Sequence, residues 1–287
     1  MGDDNHALAR TLAQKALKHV EIDEKPQSWV NQTTASEPLS QHCRYFDAFG
    51  FLHLPRFCTL PECQEMKDTM KKLVDEWDPS QTDSFGTDDG SNVKRGDYFL
   101  ESANRIHHFC EPQFLENGVL KDEYKDKKIF ALNKSGHGLH LDASLRSKDE
   151  SRPNPFYQYC HSSKIRQLVA DLGWKDPVVP QSMYIYKQAH HGGVVSSHQD
   201  STVLFTTPRQ SCLGLWLALD EATLENGCLW VRPRSHKESV RRQYCRNSEY
   251  FGEESLENRS NEALGDENVP MFEMNQLREG ADEAPWD

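Results

Sequence analysis

This 287-residue chain has no apolar run of membrane-spanning length, no Cys-x-x-Cys pair, no internal repeat and no excess of positive charge. Each absence excludes something. Without a long apolar run, a transmembrane helix is not expected. With 33 basic against 45 acidic residues and a formal net charge of -12, the surface repels nucleic acid and anionic membranes, so neither is an expected partner. A local basic pocket for an anionic small molecule remains compatible with that balance. The eight cysteines, Cys43, Cys58, Cys63, Cys110, Cys160, Cys212, Cys228 and Cys245, show no zinc-ribbon spacing. Several sit in apolar runs, where cysteine behaves as a small hydrophobe. A reducing, cytoplasmic setting without a disulfide framework is expected. The start, Met1-Gly2-Asp3-Asp4-Asn5, lacks the basic and then apolar segments of a secretory leader, and Ala284-Pro285-Trp286-Asp287 is not a peroxisomal or retention tail.

What is present divides the chain at about residue 40. Residues 1–40 are polar and rich in Glu, Ser, Thr and Pro toward their end, which predicts a solvated tail or linker, with a short helix over Ala7–Val20. Residues 41–287 are expected to be one partial domain. Order is expected from about Phe46, with a short strand at 50–54. Thr59-Leu60-Pro61-Glu62 has the capping-box pattern of a helix start, and Cys63, Met66, Met70, Leu73, Val74 and Trp77 follow at helical spacing. Residues 79–96 are Asp-, Ser- and Gly-rich and predict a loop, and Arg105–Phe109 predicts a strand. Lys134–His140 marks a turn entering a helix, and Lys164–Leu172 a second helix with Ile165, Leu168, Val169 and Leu172 on one face. From Pro177 the texture is of strands: 178–179, 183–186, a doubly apolar and therefore buried 212–219, and 228–231 after an Asn226-Gly227 turn. Beyond Ser239 the chain is polar and charged. Helices first and short strands later predict a mainly β fold with flanking helices, an α+β sandwich or barrel.

The strongest chemical signal is His198-Gln199-Asp200. On an extended chain, residues i and i+2 point to one face, so an imidazole and a carboxylate can converge on one metal. Two histidines and a carboxylate with open positions form the ligand set of non-heme iron(II) oxygenases. The tripeptide alone is a weak signal, because the pattern arises often by chance and a surface pair making local hydrogen bonds produces it too. A zinc hydrolase site built from His190, His191 and His198 is a further alternative, weakened because adjacent residues on an extended chain face opposite ways.

The surroundings of the motif favour the iron site. The stretch Gln181-Ser182-Met183-Tyr184-Ile185-Tyr186-Lys187-Gln188, then Gly192-Gly193, His198-Gln199-Asp200, Gly214 through Leu229 and Arg234-Ser235-His236 resembles the phytanoyl-CoA dioxygenase family, as do Phe49–Leu52, Asp97–Leu100 and Asn133–His137 upstream. The resemblance runs from about residue 46 to 240. It implies a double-stranded β-helix, a jelly-roll (cupin-like) barrel incomplete toward its C-terminus. It implies an iron(II)- and 2-oxoglutarate-dependent dioxygenase that hydroxylates an organic small molecule, an acyl-CoA-type compound being the family-level guess. His198 and Asp200 match the proximal iron ligands and catalytic positions. Lys134, Met183, Gln199 and Trp216 match the co-substrate pocket, and a lysine ammonium suits a carboxylate of that dianion. Fe(2+), 2-oxoglutarate and, as an option, ascorbate are the implied cofactors. Family members also carry a later iron-binding histidine followed by an arginine. After Asp200 this chain has only His236, which matches a Ser-His turn and is expected to make local hydrogen bonds. The chain is therefore expected to be a fragment of a longer enzyme with reduced or absent turnover, or else a non-catalytic remnant that binds 2-oxoglutarate or metal. Substrate identity and oligomeric state are not legible.

Overall fold

The structure is a computed structural model that describes residues 39–85, 97–142, 145, 154–252, 269 and 271–277. The Ala7–Val20 helix and all of the expected tail but its last two residues lie outside these residues. Helix α1 spans Leu39–Phe49, so order begins before Phe46. Helix α2, Leu60–Glu76, starts at the expected capping box: Glu62 N–H donates to Thr59 Oγ1 at 3.4 Å, and Thr59 N–H donates to Glu62 Oε2 at 2.8 Å. This reciprocal pair satisfies two N–H groups that a helix start leaves without partners. At the other end, the Lys128 ammonium donates to the carbonyls of Val74 (3.2 Å), Asp75 (3.1 Å) and Trp77. That places a cation where the helix dipole favours one. Met66, Met70, Val74 and Trp77 are buried, as the spacing predicts.

Short helix α3 spans Asp97–Glu101. Helices α4 (Lys128–Ala131), α5 (Pro155–Cys160) and α6 (Ser163–Asp171) follow in order. Helix α1 packs against α6, and α2 against α5. The central sheet runs β1 (Asp83–Ser84), β2 (His108–Cys110), β5 (Leu132–Ser135), β6 (Tyr184–Ile185). Only β1–β2 is parallel. Strand β1 thus takes part of the 79–96 segment expected to be loop. In β5 all four residues are buried. Strands β3 (Leu115–Glu116) and β4 (Val119–Leu120) form a hairpin whose turn residues, Asn117 and Gly118, both have positive φ, the backbone that a tight two-residue turn requires. Strand β7 (Arg242–Arg246), short helix α7 (Ser248–Phe251) and strand β8 (Phe272–Gln276) complete the described elements, β7 and β8 pairing antiparallel over five residues. One core, including Met66, Met70, Trp77, Leu120, Leu132, Leu139, Phe156 and Tyr186, fills the space between α2, α5 and the sheet.

The mixed α+β class matches expectation, and the described sheets are open. Four strand expectations fail. Residues 50–54, 178–179, 212–219 and 228–231 lie in no ladder. A strand exists only through a partner's N–H and C=O groups, which an apolar composition does not supply. The 212–219 segment is not buried on both faces: Leu215 is 50% exposed and Trp216 52%. After Ser135 the chain turns through residue 142; beyond it only Leu145, in a 3-10 turn, is described before α5, so the helix expected after the 134–140 turn lies outside the described residues. No helix among the described residues is long and apolar enough to cross a membrane, and all eight cysteines are free thiols.

Candidate active site

His198 and Asp200 come together without a ladder strand. Gln199 between them is extended (φ -106°, ψ 126°), so its neighbours share a face, and a 3-10 turn over Asp200–Thr202 then carries the chain away. His198 Nε2 lies 3.3 Å from Asp200 Oδ1. His198 Nδ1 donates to the Ser196 carbonyl at 2.8 Å. In a neutral imidazole only one nitrogen carries hydrogen, so this bond leaves the lone pair on Nε2, the atom that faces the carboxylate. When Nε2 is protonated as well, it donates to Asp200, and this bond raises the His198 pKa and holds the Asp200 carboxyl below its ordinary range. Both side chains are more than half exposed, so solvent screens their attraction. Gly214 gives the carboxylate room: a Cβ there would stand 3.1 Å from Asp200 Oδ2. Burial and then Asp200's charge push the Cys212 thiol up, which places 212–214 beside Asp200.

Among the described residues, no third His, Cys, Asp or Glu joins the pair. The zinc alternative therefore fails. The His191 ring packs between Phe114 and Phe130, at 5.6 and 5.2 Å, and its Nδ1 donates to the Ala189 carbonyl at 2.6 Å. His236 Nε2 donates to the Asp47 carbonyl at 3.0 Å, the local role expected for it.

Lys134, at the centre of β5, pairs with Phe109 on β2 and Ile185 on β6. It is not an ordinary exposed lysine, being 2% exposed. Its ammonium stands 3.4 Å above the Phe85 ring, with Phe109 and Phe99 at 5.1 and 6.0 Å. Nζ donates to His137 Nε2 at 2.6 Å. The remaining pocket residues differ in kind. Gln199 is committed to the neighbouring chain: its Oε1 accepts from Arg241 N at 3.0 Å and its Nε2 donates to the Ser239 carbonyl at 3.4 Å, tying the entry of β7 to the His198–Asp200 turn. Met183 and Trp216, 36% and 52% exposed, line the same concavity as Lys134, His198 and Asp200. That concavity has a volume of about 5370 Å³. Fitted small-molecule pockets hold roughly 300–1,000 Å³, so this is an open trough.

Sequence reasoning missed two features. One is His137 as the partner of Lys134, signalled only by the spacing of three residues through a glycine turn. The other is Glu111, buried at 4% exposure, whose Oε1 accepts from Gly193 N at 2.8 Å and pins the loop that leads into His198.

Residues 46–275 match the family model described as Phytanoyl-CoA dioxygenase (PhyH). The chain is 41% identical over 209 residues to "Phytanoyl-CoA dioxygenase 1" of Oryza sativa subsp. japonica, covering 72% of this chain and 68% of that protein. It is 38% identical over 205 residues to "Phytanoyl-CoA dioxygenase" of Arabidopsis thaliana, covering 70% and 66%. Identity to "Phytanoyl-CoA dioxygenase domain-containing protein 1" of Mus musculus is 38% over 206 residues, again covering 70% and 66%.

Proposed function

The chain belongs to the phytanoyl-CoA dioxygenase family, and from that premise we propose that it is an iron(II)- and 2-oxoglutarate-dependent dioxygenase that hydroxylates an organic small molecule. One observation carries the reading: His198 Nε2 and Asp200 Oδ1 stand 3.3 Å apart, with Nδ1 tied to Ser196, which leaves an imidazole lone pair and a carboxylate oxygen side by side. A neutral imidazole and a carboxylate are the donor types that a non-heme iron(II) accepts, so the residues present fit as two of its ligands. When bound, the metal supplies the redox chemistry that couples 2-oxoglutarate decarboxylation to C–H oxidation.

The chain's own residues do the rest. Ser196 orients the imidazole, the arrangement by which outer-shell partners tune metal ligands. Lys134, at the floor of the trough, receives a carboxylate of the co-substrate. Met183 and Trp216 present apolar surface to the trough, with Gln199 bracing the turn. Segments 212–219 and 228–231 line that trough, in keeping with the wall of the jelly-roll barrel that the family reading implies. The apolar wall suits an acyl chain, in keeping with an acyl-CoA-type substrate. Ascorbate serves as the accessory reductant. Eight free thiols accord with a cytoplasmic protein.

A second reading has its own observation. Only two ligand side chains converge among the described residues, as in a protein that binds 2-oxoglutarate or metal without turnover. Anaerobic reconstitution with iron(II), followed by metal analysis and a succinate assay, separates them. Stoichiometric iron with succinate formation supports the dioxygenase. Iron or 2-oxoglutarate binding without succinate supports the second reading, and neither binding overturns both.

A further inference from the structure

The buried ammonium of Lys134 is aimed by a relay that the sequence motifs do not assign. Ser102, fully buried just past α3, donates its hydroxyl hydrogen to the Phe99 carbonyl at 2.6 Å. A hydroxyl has one hydrogen, so toward its other close neighbour, His137 Nδ1 at 2.6 Å, Ser102 Oγ is the acceptor. His137 Nδ1 therefore carries the proton and Nε2 the lone pair. That lone pair accepts from Lys134 Nζ at 2.6 Å. The direction of every bond in the chain Lys134 → His137 → Ser102 → Phe99 is set by the fixed carbonyl at its end.

The backbone is shaped to make this contact. Gly136 has φ +69°, and a Cβ on Gly138 would stand 2.8 Å from Asn104 Cα and 2.9 Å from the Ala103 carbonyl oxygen. These two glycines let the turn fold His137 back over Lys134 and press it against the chain that holds Ser102. A lysine side chain has four rotatable carbons, and inside a ring of Phe85, Phe99 and Phe109 the cation–π attraction holds the charge without choosing a direction. The histidine supplies the direction.

We infer that His137 and Ser102 are positioning residues for the co-substrate, orienting the Lys134 ammonium to receive a carboxylate of a 2-oxo dicarboxylate. This rests on the proposed role of Lys134. Neither residue touches the reacting atoms; each acts through the lysine.

The test is calorimetric titration of the full chain, iron(II)-loaded and anaerobic, with 2-oxoglutarate. In parallel, ¹⁵N NMR of the His137 ring reads the tautomer. Wild type is expected to bind and to show protonated Nδ1 and bare Nε2. His137→Phe keeps a ring but removes the acceptor, and is expected to weaken binding about tenfold; His137→Gln, whose side-chain oxygen replaces Nε2, restores it to within about threefold. Ser102→Ala is expected to release the tautomer and weaken binding about fivefold. Wild-type affinity in His137→Phe overturns the inference and leaves the lysine's role intact. If that variant does not fold, unchanged affinity and unchanged ring signals in Ser102→Ala overturn it instead. Wild type that binds no 2-oxoglutarate overturns the pocket assignment, and the positioning role with it.

Discussion

Acid should loosen this protein at one identifiable seam. His108, on β2, is 6% exposed, packs 5.0 Å from Trp77 and shares a 2.7 Å hydrogen bond between its Nδ1 and Ser135 Oγ on β5, one residue from Lys134. Burial, with the nearby charges of His107 and Lys128, pushes its pKa down from 6.5 to about 4. The imidazole is therefore neutral in the folded protein and is protonated far more readily once unfolded. Because the folded pKa lies below the unfolded one, the unfolded state binds the extra proton. Stability is full above pH 6.5 and falls as pH drops toward 4. The whole interval is worth at most about 3 kcal/mol, and the part lost between about pH 7.5 and about pH 5 is about 2 kcal/mol. His108→Asn cannot titrate but keeps a polar group facing Ser135. Its cavity lowers stability at every pH alike. Urea unfolding of both proteins at the two pH values isolates the effect, since other titrating groups act equally in each. Wild type should lose about 2 kcal/mol more than the variant over that range. Equal losses would refute the assignment of a buried neutral imidazole to this seam.

Three further outcomes are expected. Asp200→Asn removes the anionic donor beside His198 and should lower iron(II) affinity at least about a hundredfold, since losing even an outer-shell partner costs about 10–100-fold; competition with a colorimetric chelator reads it, and unchanged affinity would remove Asp200 from the ligand set. Gly138→Ala drives a methyl group to within 2.9 Å of backbone atoms that cannot swing aside. It should cost about 2–3 kcal/mol and weaken 2-oxoglutarate binding by displacing His137; a normal melting temperature would show that the turn yields. Thr59→Ala breaks the capping box of α2 and should cost about 1 kcal/mol, read by thermal melting followed by far-UV circular dichroism, with co-substrate affinity unchanged.

Local rules carried part of this structure unaided. Helix α2 follows from Thr59-x-x-Glu62 and the spacing of Met66, Met70 and Val74, because a cap and an apolar stripe act within a few residues of sequence. Helix α6 follows from Ile165, Leu168 and Val169 in the same way. The convergence of His198 and Asp200 needs only one extended residue between them, so the two-residue spacing already contained it. The strands were harder. The apolar 212–219 segment has the composition of a buried strand, yet lies outside any ladder with Trp216 half in solvent. Arg242–Arg246 has a charged, loop-like composition, yet pairs with Phe272–Gln276. Strand identity depends on a distant partner's backbone, and composition is silent about that partner. Lys134 is the sharpest case. Its residue type and neighbours marked it as a ligand for a carboxylate. Only the packed structure decided that β5 buries it, that three phenylalanines surround it and that His137, itself held by Ser102, sets its direction. Those contacts join residues up to 49 positions apart (Phe85 to Lys134). They exist because a buried charge must find partners wherever the fold brings them within reach.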